Sequence, residues 1–323
     1  MLGIYSRIAF AMALLFSSQS DDPERWREAL LAEIPDLDFR VWTPDGKNIG
    51  DPAGISLALV WAPKKGALKA FPNLKAVLSL GAGVDHLIGR DLPDGIPVVR
   101  LVDPGLTRGM REYVIYWTLH FHRRFAEYAA STASGVWLQL PQADTRKLHV
   151  GIMGLGIMGA DAAAHLNALE FDVAGWSRRA KTLDGITCFH GRDGLADFLS
   201  RTEILVCLLP LTPETAGIIN ADTLAQLPRG AVLINAARGA HVIDEDLIRA
   251  LDDGHLAGAT LDVFHTEPLP PDHAFWPHPK INLTPHAASI TTPETAAQPV
   301  AENVERIRAG QAPEPIVDPD SGY

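Results

Sequence analysis

The sequence predicts an α/β protein built from two doubly wound parallel sheets. Short apolar runs alternate with helical patterns from end to end, which is the signature of βαβ units. The chain has 323 residues, enough for two domains at roughly 100–200 residues each. A glycine-rich turn, Gly154-Leu155-Gly156-Ile157-Met158-Gly159, falls directly between an apolar strand and a helix.

Composition narrows the classes. With 47% hydrophobic and 21% charged residues, the chain has an ordinary globular balance and is neither disordered nor collagen-like. A net charge of −11 argues against nucleic acid, whose phosphates call for clustered Lys and Arg. It leaves room for a small anion, because one or two arginines can dominate a small pocket. The only cysteines are Cys188 and Cys207. Cys207 lies in an apolar run and reads as a buried small hydrophobe, which fits a reducing, cytoplasmic setting.

The elements follow in order. Arg7 and the apolar run Ile8 to Phe16 have the outline of a signal peptide but read as a buried first strand. A polar loop, Ser17 to Asp22, then leads to a helix with Pro23 in its first turn. The run is too short to span a bilayer and no other segment approaches that length, so no membrane association is expected. Residues 1–11 read as a translated extension ahead of a start at Met12. Leu57 to Trp61, Ala76 to Leu80 and Pro97 to Leu101 are expected as buried parallel strands, followed by a helical stretch from Gly105 to Ala130. A second strand series comprises Leu148 to Met153, Phe171 to Gly175, Ile204 to Leu209, Ala231 to Asn235, Ala257 to Val263 and Ile281 to Leu283. Helices near 157–169, 193–200, 221–227 and 244–253 separate most of them. The last helix, Thr292 to Ala309, is expected to return to the first domain. That makes a discontinuous substrate domain, residues 1–101 and 287–323, around a dinucleotide-type domain, 102–286. A cleft between two lobes is the expected place for cofactor and substrate.

In the glycine turn, Gly154 permits the tight bend, Gly156 lets backbone approach a pyrophosphate, and Gly159 lets the helix pack on the strand. The helix begins at the variable positions Ile157 and Met158, and its N–H groups face the phosphates. An Asp or Glu about 20 residues on would hold the ribose 2′-hydroxyl of NAD. The chain instead reads Gly175-Trp176-Ser177-Arg178-Arg179-Ala180-Lys181, with no acid. Arg178 and Arg179 match a 2′-phosphate in charge and geometry, favouring NADPH, with NADH used less efficiently. The competing reading is a solvated basic loop.

Three polar residues follow strand ends of the second series: Arg238, Glu267 and His286. Reduction of a keto acid needs a cation for the carboxylate, a proton donor for the developing alkoxide, and a group that keeps the donor charged. Arg, His and Glu can fill those roles. The pairs His120/His122 and His273/His278 lack a third ligand in register, and no metal is expected.

Further blocks carry a resemblance. Leu80-Gly81-Ala82-Gly83-Val84-Asp85, the glycine turn, Gly175-Trp176-Ser177-Arg178, Leu209-Pro210-Leu211-Thr212-Pro213-Glu214-Thr215, Asn235-Ala236-Ala237-Arg238-Gly239, Leu261-Asp262-Val263-Phe264 through Glu267-Pro268-Leu269-Pro270, and Thr284-Pro285-His286 occur in sequence. Over nearly its whole length the chain resembles the D-isomer-specific 2-hydroxyacid dehydrogenases, and within them the bacterial glyoxylate/hydroxypyruvate reductases of the A type. The ending Ser321-Gly322-Tyr323 is similar to that subgroup, as is a first strand beginning near Met12. The resemblance implies a Rossmann dinucleotide-binding domain beside a flavodoxin-like substrate domain, and Arg238, Glu267 and His286 as the catalytic trio. It implies that Gly81, Ala82, Gly83 and Val84 bind substrate through backbone N–H groups. It extends the cofactor-binding set through Ser177, Leu209, Pro210, Thr215, Ala236 and Asp262, and it implies a homodimer joined by the helix after Gly105 and its following loop. Trp61 ends a first-domain strand and is a candidate substrate contact or a core residue; Trp137 is likewise placed to narrow a pocket. The turn carries Ile157 and Met158 at its variable positions, and Glu170 stands where a glycine often precedes the second strand. Two rivals remain: a dehydrogenase for another 2-keto acid, and a non-catalytic dinucleotide-sensing protein on the same fold.

Overall fold

The structure, a computed structural model, describes residues 12–43, 49–88 and 91–318. The proposed extension over residues 1–11 and the ending at 321–323 lie outside the described residues. The chain divides into two compact units, one running to Gly105 and resuming at Thr291, the other spanning Leu106–Ile290. The boundaries expected from sequence, after residues 101 and 286, stand four residues earlier at each crossing.

The first unit holds β1 (Ala13–Ser17), α1 (Pro23–Glu33), β2 (Asp38–Val41), β3 (Ile55–Val60), β4 (Ala76–Ser79) and β5 (Val98–Val99). The strands form one parallel sheet in the order β2-β1-β3-β4-β5. Its centre is β1 and β3, whose apolar runs are buried almost throughout because both faces are covered. α1 starts where it should: the Asp22 carboxylate accepts the Glu24 N–H at 2.9 Å and Pro23 takes the first helical position. It buries Trp26 and Leu30.

The second unit begins with α2 (Pro104–His122), at whose first turn the division falls, and α3 (Phe125–Ala133). There follow β6 (His149–Met153), α4 (Ile157–Ala168), β7 (Asp172–Ser177), β8 (Thr187–His190), α5 (Leu195–Ser200) and β9 (Ile204–Cys207). Next come α6 (Ala221–Ala225), β10 (Ala231–Asn235), α7 (Asp244–Asp252), β11 (Leu256–Leu261) and β12 (Ile281–Leu283). The chain then re-enters the first unit as α8 (Pro293–Arg308), which packs on α1. The seven strands of the second unit are all parallel, in the order β12-β11-β10-β9-β6-β7-β8. Apolar clusters cover both faces, one around Phe198, Leu247 and Leu251, the other around Val114, Ala162 and Leu166. From β6 the chain winds one way to β7 and β8, then returns to the opposite side as β9. That reversal makes the C-terminal end of β6 the switch point at which such sheets bind ligands.

Local departures from the sequence reading have local causes. The helical stretch 105–130 is two helices, broken where Arg124 adopts φ 58°; no Gly or Pro marks the break. The edge strands β2 and β8 are half exposed and mix polar with apolar residues, so they lack a buried strand's continuous pattern. β5 shrinks to two residues beside Pro97, which brings no N–H to a ladder. Among the described residues no helix is long and apolar enough to cross a membrane.

Candidate active site

The glycine turn leaves β6 and enters α4. Gly154 has φ 102°, and a Cβ there would stand 2.6 Å from the Leu208 carbonyl oxygen. A Cβ on Gly159 would lie 1.8 Å from the Gly154 carbonyl oxygen. Gly156 differs: it is the N-cap of α4, makes no side-chain capping bond, and a Cβ built on it meets nothing within 4 Å. The free N–H groups of the first helical turn, Ile157 and Met158 among them, therefore open onto space that only a glycine keeps clear. This donor set fits the pyrophosphate of a dinucleotide.

The basic stretch at the end of β7 stands on a firm base. Ser177 is buried and its Oγ donates to the Arg179 carbonyl at 2.8 Å, while Arg178 and Arg179 are exposed. Lys181, not singled out from sequence, donates from Nζ to the Leu155 carbonyl inside the glycine turn. Its signal was present, since it shares the basic run with the two arginines. Across from it, the Glu214 carboxyl is held below the usual range by a hydrogen bond from Thr212 and its own main chain, helped by the charges of Arg178 and Arg192. Thr215 braces the loop after β9, donating to the Pro210 carbonyl at 2.7 Å and accepting the Thr212 N–H at 2.8 Å. Leu209 and Ala236 are buried.

Arg238, Glu267 and His286 follow three neighbouring strands, β10, β11 and β12. Arg238 is half-buried. Its guanidinium donates to the Ala237 carbonyl at 2.7 Å and its main-chain N–H to His241 Nδ1 at 3.2 Å. His241 Nδ1 also lies 3.1 Å from the Arg238 carbonyl, and its Nε2 reaches the Pro210 carbonyl at 3.3 Å. Glu267 and His286 meet directly, Oε2 to Nδ1 at 2.7 Å, and Glu267 Oε1 accepts the Phe264 N–H at 2.9 Å. The Glu267 hydrogen bond raises the His286 pKa above the ordinary histidine value, against burial and the Arg238 charge. Burial pushes Glu267 the other way, but its bonds from His286 and Phe264 and the nearby positive charges prevail, so its carboxyl sits below the usual range. With Nδ1 turned to Glu267, Nε2 is the nitrogen free to pass a proton to a carbonyl oxygen.

His286 has φ 53°, uncommon for a residue with a side chain. Its N–H donates to the Asp262 carbonyl at 2.8 Å. Asp262 itself is 1% exposed, and its carboxylate faces the loop after β12. His241 and this loop-facing role of Asp262 were not legible from sequence, because both depend on which loops the sheet brings together. His273 and His278 pair with Asp244 and Asp252 at 3.4 Å and 3.3 Å.

In the first unit, the turn after β4 carries Gly81 to Val84. Gly81 donates its N–H to Ser79 Oγ at 3.2 Å. Trp61 lies against it: a Cβ on Gly81 would be 2.6 Å from the indole, whose other neighbour is the His86 ring at 4.0 Å between centroids. Gly81 is therefore a glycine for packing as well as for the turn.

Comparison with known proteins bears on this arrangement. Residues 115–288 match a family model described as the NAD binding domain of D-isomer specific 2-hydroxyacid dehydrogenase. A glyoxylate/hydroxypyruvate reductase A of Serratia proteamaculans is 41% identical over 97% of this chain and 100% of its own length. A D-isomer specific 2-hydroxyacid dehydrogenase of Xanthobacter autotrophicus, solved in complex with NADPH and MES, has 46% identity and a TM-score of 0.94, covering 97% of this chain and all of its own. An NADPH-dependent glyoxylate/hydroxypyruvate reductase of Sinorhizobium meliloti, solved with NADP and sulfate, has 38% identity and a TM-score of 0.90 over 96% of this chain and 100% of its own.

Proposed function

Because the chain belongs to the D-isomer specific 2-hydroxyacid dehydrogenase family, we propose that it uses NADPH to reduce glyoxylate and hydroxypyruvate to glycolate and D-glycerate. The observation that carries the reading is the 2.7 Å pair of His286 and Glu267 one strand away from Arg238, on the sheet rim that also bears the glycine turn. Bound NADPH supplies the hydride for C2 of the keto acid. Arg238 holds the substrate carboxylate and polarises the carbonyl through its planar fork. His286 gives the proton from Nε2 to the carbonyl oxygen, and Glu267 keeps the ring charged and oriented. The turn from Gly81 to Val84 is proposed to bind the carboxylate through the amides of Ala82, Gly83 and Val84, the Gly81 N–H being held by Ser79, with Trp61 shaping the site. The free N–H groups at Gly156 to Met158 take the pyrophosphate, and Arg178 and Arg179, aided by Lys181, take the 2′-phosphate. Leu209, Pro210, Thr215, Ala236 and Asp262 complete the cofactor side, with NADH a poorer substitute.

The enzyme is further proposed to work in the cytoplasm as a homodimer. A second copy is the partner suited to the α2–α3 face and its following loop, where Tyr116, Phe125 and Trp137 are exposed. The test is steady-state oxidation of NADPH and NADH with hydroxypyruvate, glyoxylate and pyruvate in parallel. Fast turnover with NADPH on the first two is expected. A preference for NADH, or activity only on another keto acid, overturns the cofactor or substrate; inactivity with every pair favours a dinucleotide-sensing protein.

A further inference from the structure

Behind the loop that carries His286 runs a line of polar contacts, part-buried at Tyr113, Thr284 and Ala287 and buried at Ala288. The Asp262 carboxylate accepts three bonds from that loop: Thr284 Oγ1 at 2.6 Å and the Ala287 N–H at 2.8 Å on Oδ1, and the Ala288 N–H at 2.9 Å on Oδ2. These donors flank His286 on both sides. Thr284 has a single hydroxyl proton, and it goes to the carboxylate. The 2.7 Å contact between Thr284 Oγ1 and the Tyr113 hydroxyl is therefore one in which the tyrosine donates. Tyr113 belongs to α2, far from Thr284 in sequence. Burial pushes its phenol well above the ordinary value, so it remains a donor across the working pH range.

We propose that Tyr113 is a positioning residue for the proton donor, acting through Thr284 and Asp262 to hold the 284–288 loop so that His286 meets Glu267 and the substrate carbonyl. The inference rests on the reading of His286 as that donor. Its physical basis is direction. A chain of donors pointing one way, phenol to hydroxyl to carboxylate, strengthens each successive bond. A backbone held at an unfavoured φ persists only where its surroundings over-determine it. Without the phenol, Thr284 Oγ1 loses its donor and the carboxylate loses a fixed partner.

The test compares Tyr113→Phe, Thr284→Val, the double variant and Thr284→Ser, each checked for an unchanged unfolding temperature range before assay. Tyr113→Phe is expected to lower kcat roughly five- to tenfold, the worth of one hydrogen bond, with KM for NADPH within about twofold. Adding it to Thr284→Val should cost nothing more, since the relay is already cut, while Thr284→Ser should recover most of the loss. Amide exchange at Ala287 and Ala288 should quicken in Tyr113→Phe while that of β6 stays parental, a readout needing no turnover. Unchanged kcat in an active enzyme, unchanged exchange at Ala287 and Ala288, or an additive double variant each overturns the proposal. If the parent protein reduces no keto acid, the functional reading fails instead, and amide exchange alone decides whether Tyr113 anchors the loop.

Discussion

Two glycines of the same turn should fail in opposite ways when given a methyl group. Gly156 has φ −70° and ψ −166°, open to alanine, and its Cβ would meet nothing within 4 Å. Gly156→Ala should therefore fold normally and gain about 0.4–1 kcal/mol from a stiffer unfolded chain. Its methyl group would nevertheless stand where backbone must approach the pyrophosphate. Loss of one or two charge-assisted hydrogen bonds there costs about 2–4 kcal/mol, which at about 1.4 kcal/mol per decade raises the NADPH Kd on the order of 30- to 700-fold. At Gly159 the new Cβ would lie 1.8 Å from the Gly154 carbonyl oxygen, more than an ångström inside any tolerable contact. Gly159→Ala must push α4 off β6, costing about 1–3 kcal/mol or more and lowering the unfolding temperature. Fluorescence titration with NADPH and thermal unfolding separate the two. Parental NADPH affinity in Gly156→Ala would refute the assignment of the turn to the pyrophosphate.

Other substitutions probe the remaining parts. Glu267→Gln removes the partner that raises the His286 pKa. Reduction needs the protonated ring and is lost as pH rises through that pKa, so the alkaline limb of kcat/KM should move to lower pH; an unmoved limb in a pH–rate profile would exclude Glu267 from this role. The same pair has a stability signature: the His286 contribution is full below the ordinary histidine pKa and fades as pH rises through the raised one, so the unfolding temperatures of parent and Glu267→Gln should converge above it. Arg238→Lys should cost about 10²-fold or more in kcat/KM, because a point charge cannot reproduce the planar fork; steady-state kinetics giving parental turnover would remove Arg238 from the substrate carboxylate. Asp262→Asn turns one acceptor into a donor facing the Ala288 N–H, and thermal unfolding should report a loss of about 1–3 kcal/mol.

Legibility followed locality. The glycine turn could be read because its three glycines, the strand before and the helix after are contiguous; Gly154 and Gly159 answer local steric demands, and Gly156 keeps the helix N-terminus clear. Arg238, Glu267 and His286 could be nominated because parallel strands deliver their C-terminal ends to one rim, so a polar residue just past a strand end is already placed. What stayed hidden was non-local. Nothing in a helix pattern says that Tyr113 reaches Thr284, or that the His241 ring joins the Arg238 and Pro210 loops. The broken helix at Arg124 was hidden for another reason: arginine carries no sequence signature of a left-handed residue.

The left-handed backbone at His286 bears on how a protein like this can change its trade. Few side chains tolerate that conformation, and asparagine is foremost among those that do. Asparagine is also a single base change from histidine. An Asn at position 286 would keep the turn, its bond to the Asp262 carbonyl and the dinucleotide site, while abolishing proton delivery. On the roles proposed above, one base change therefore suffices to leave a folded, nucleotide-binding protein without its proton donor.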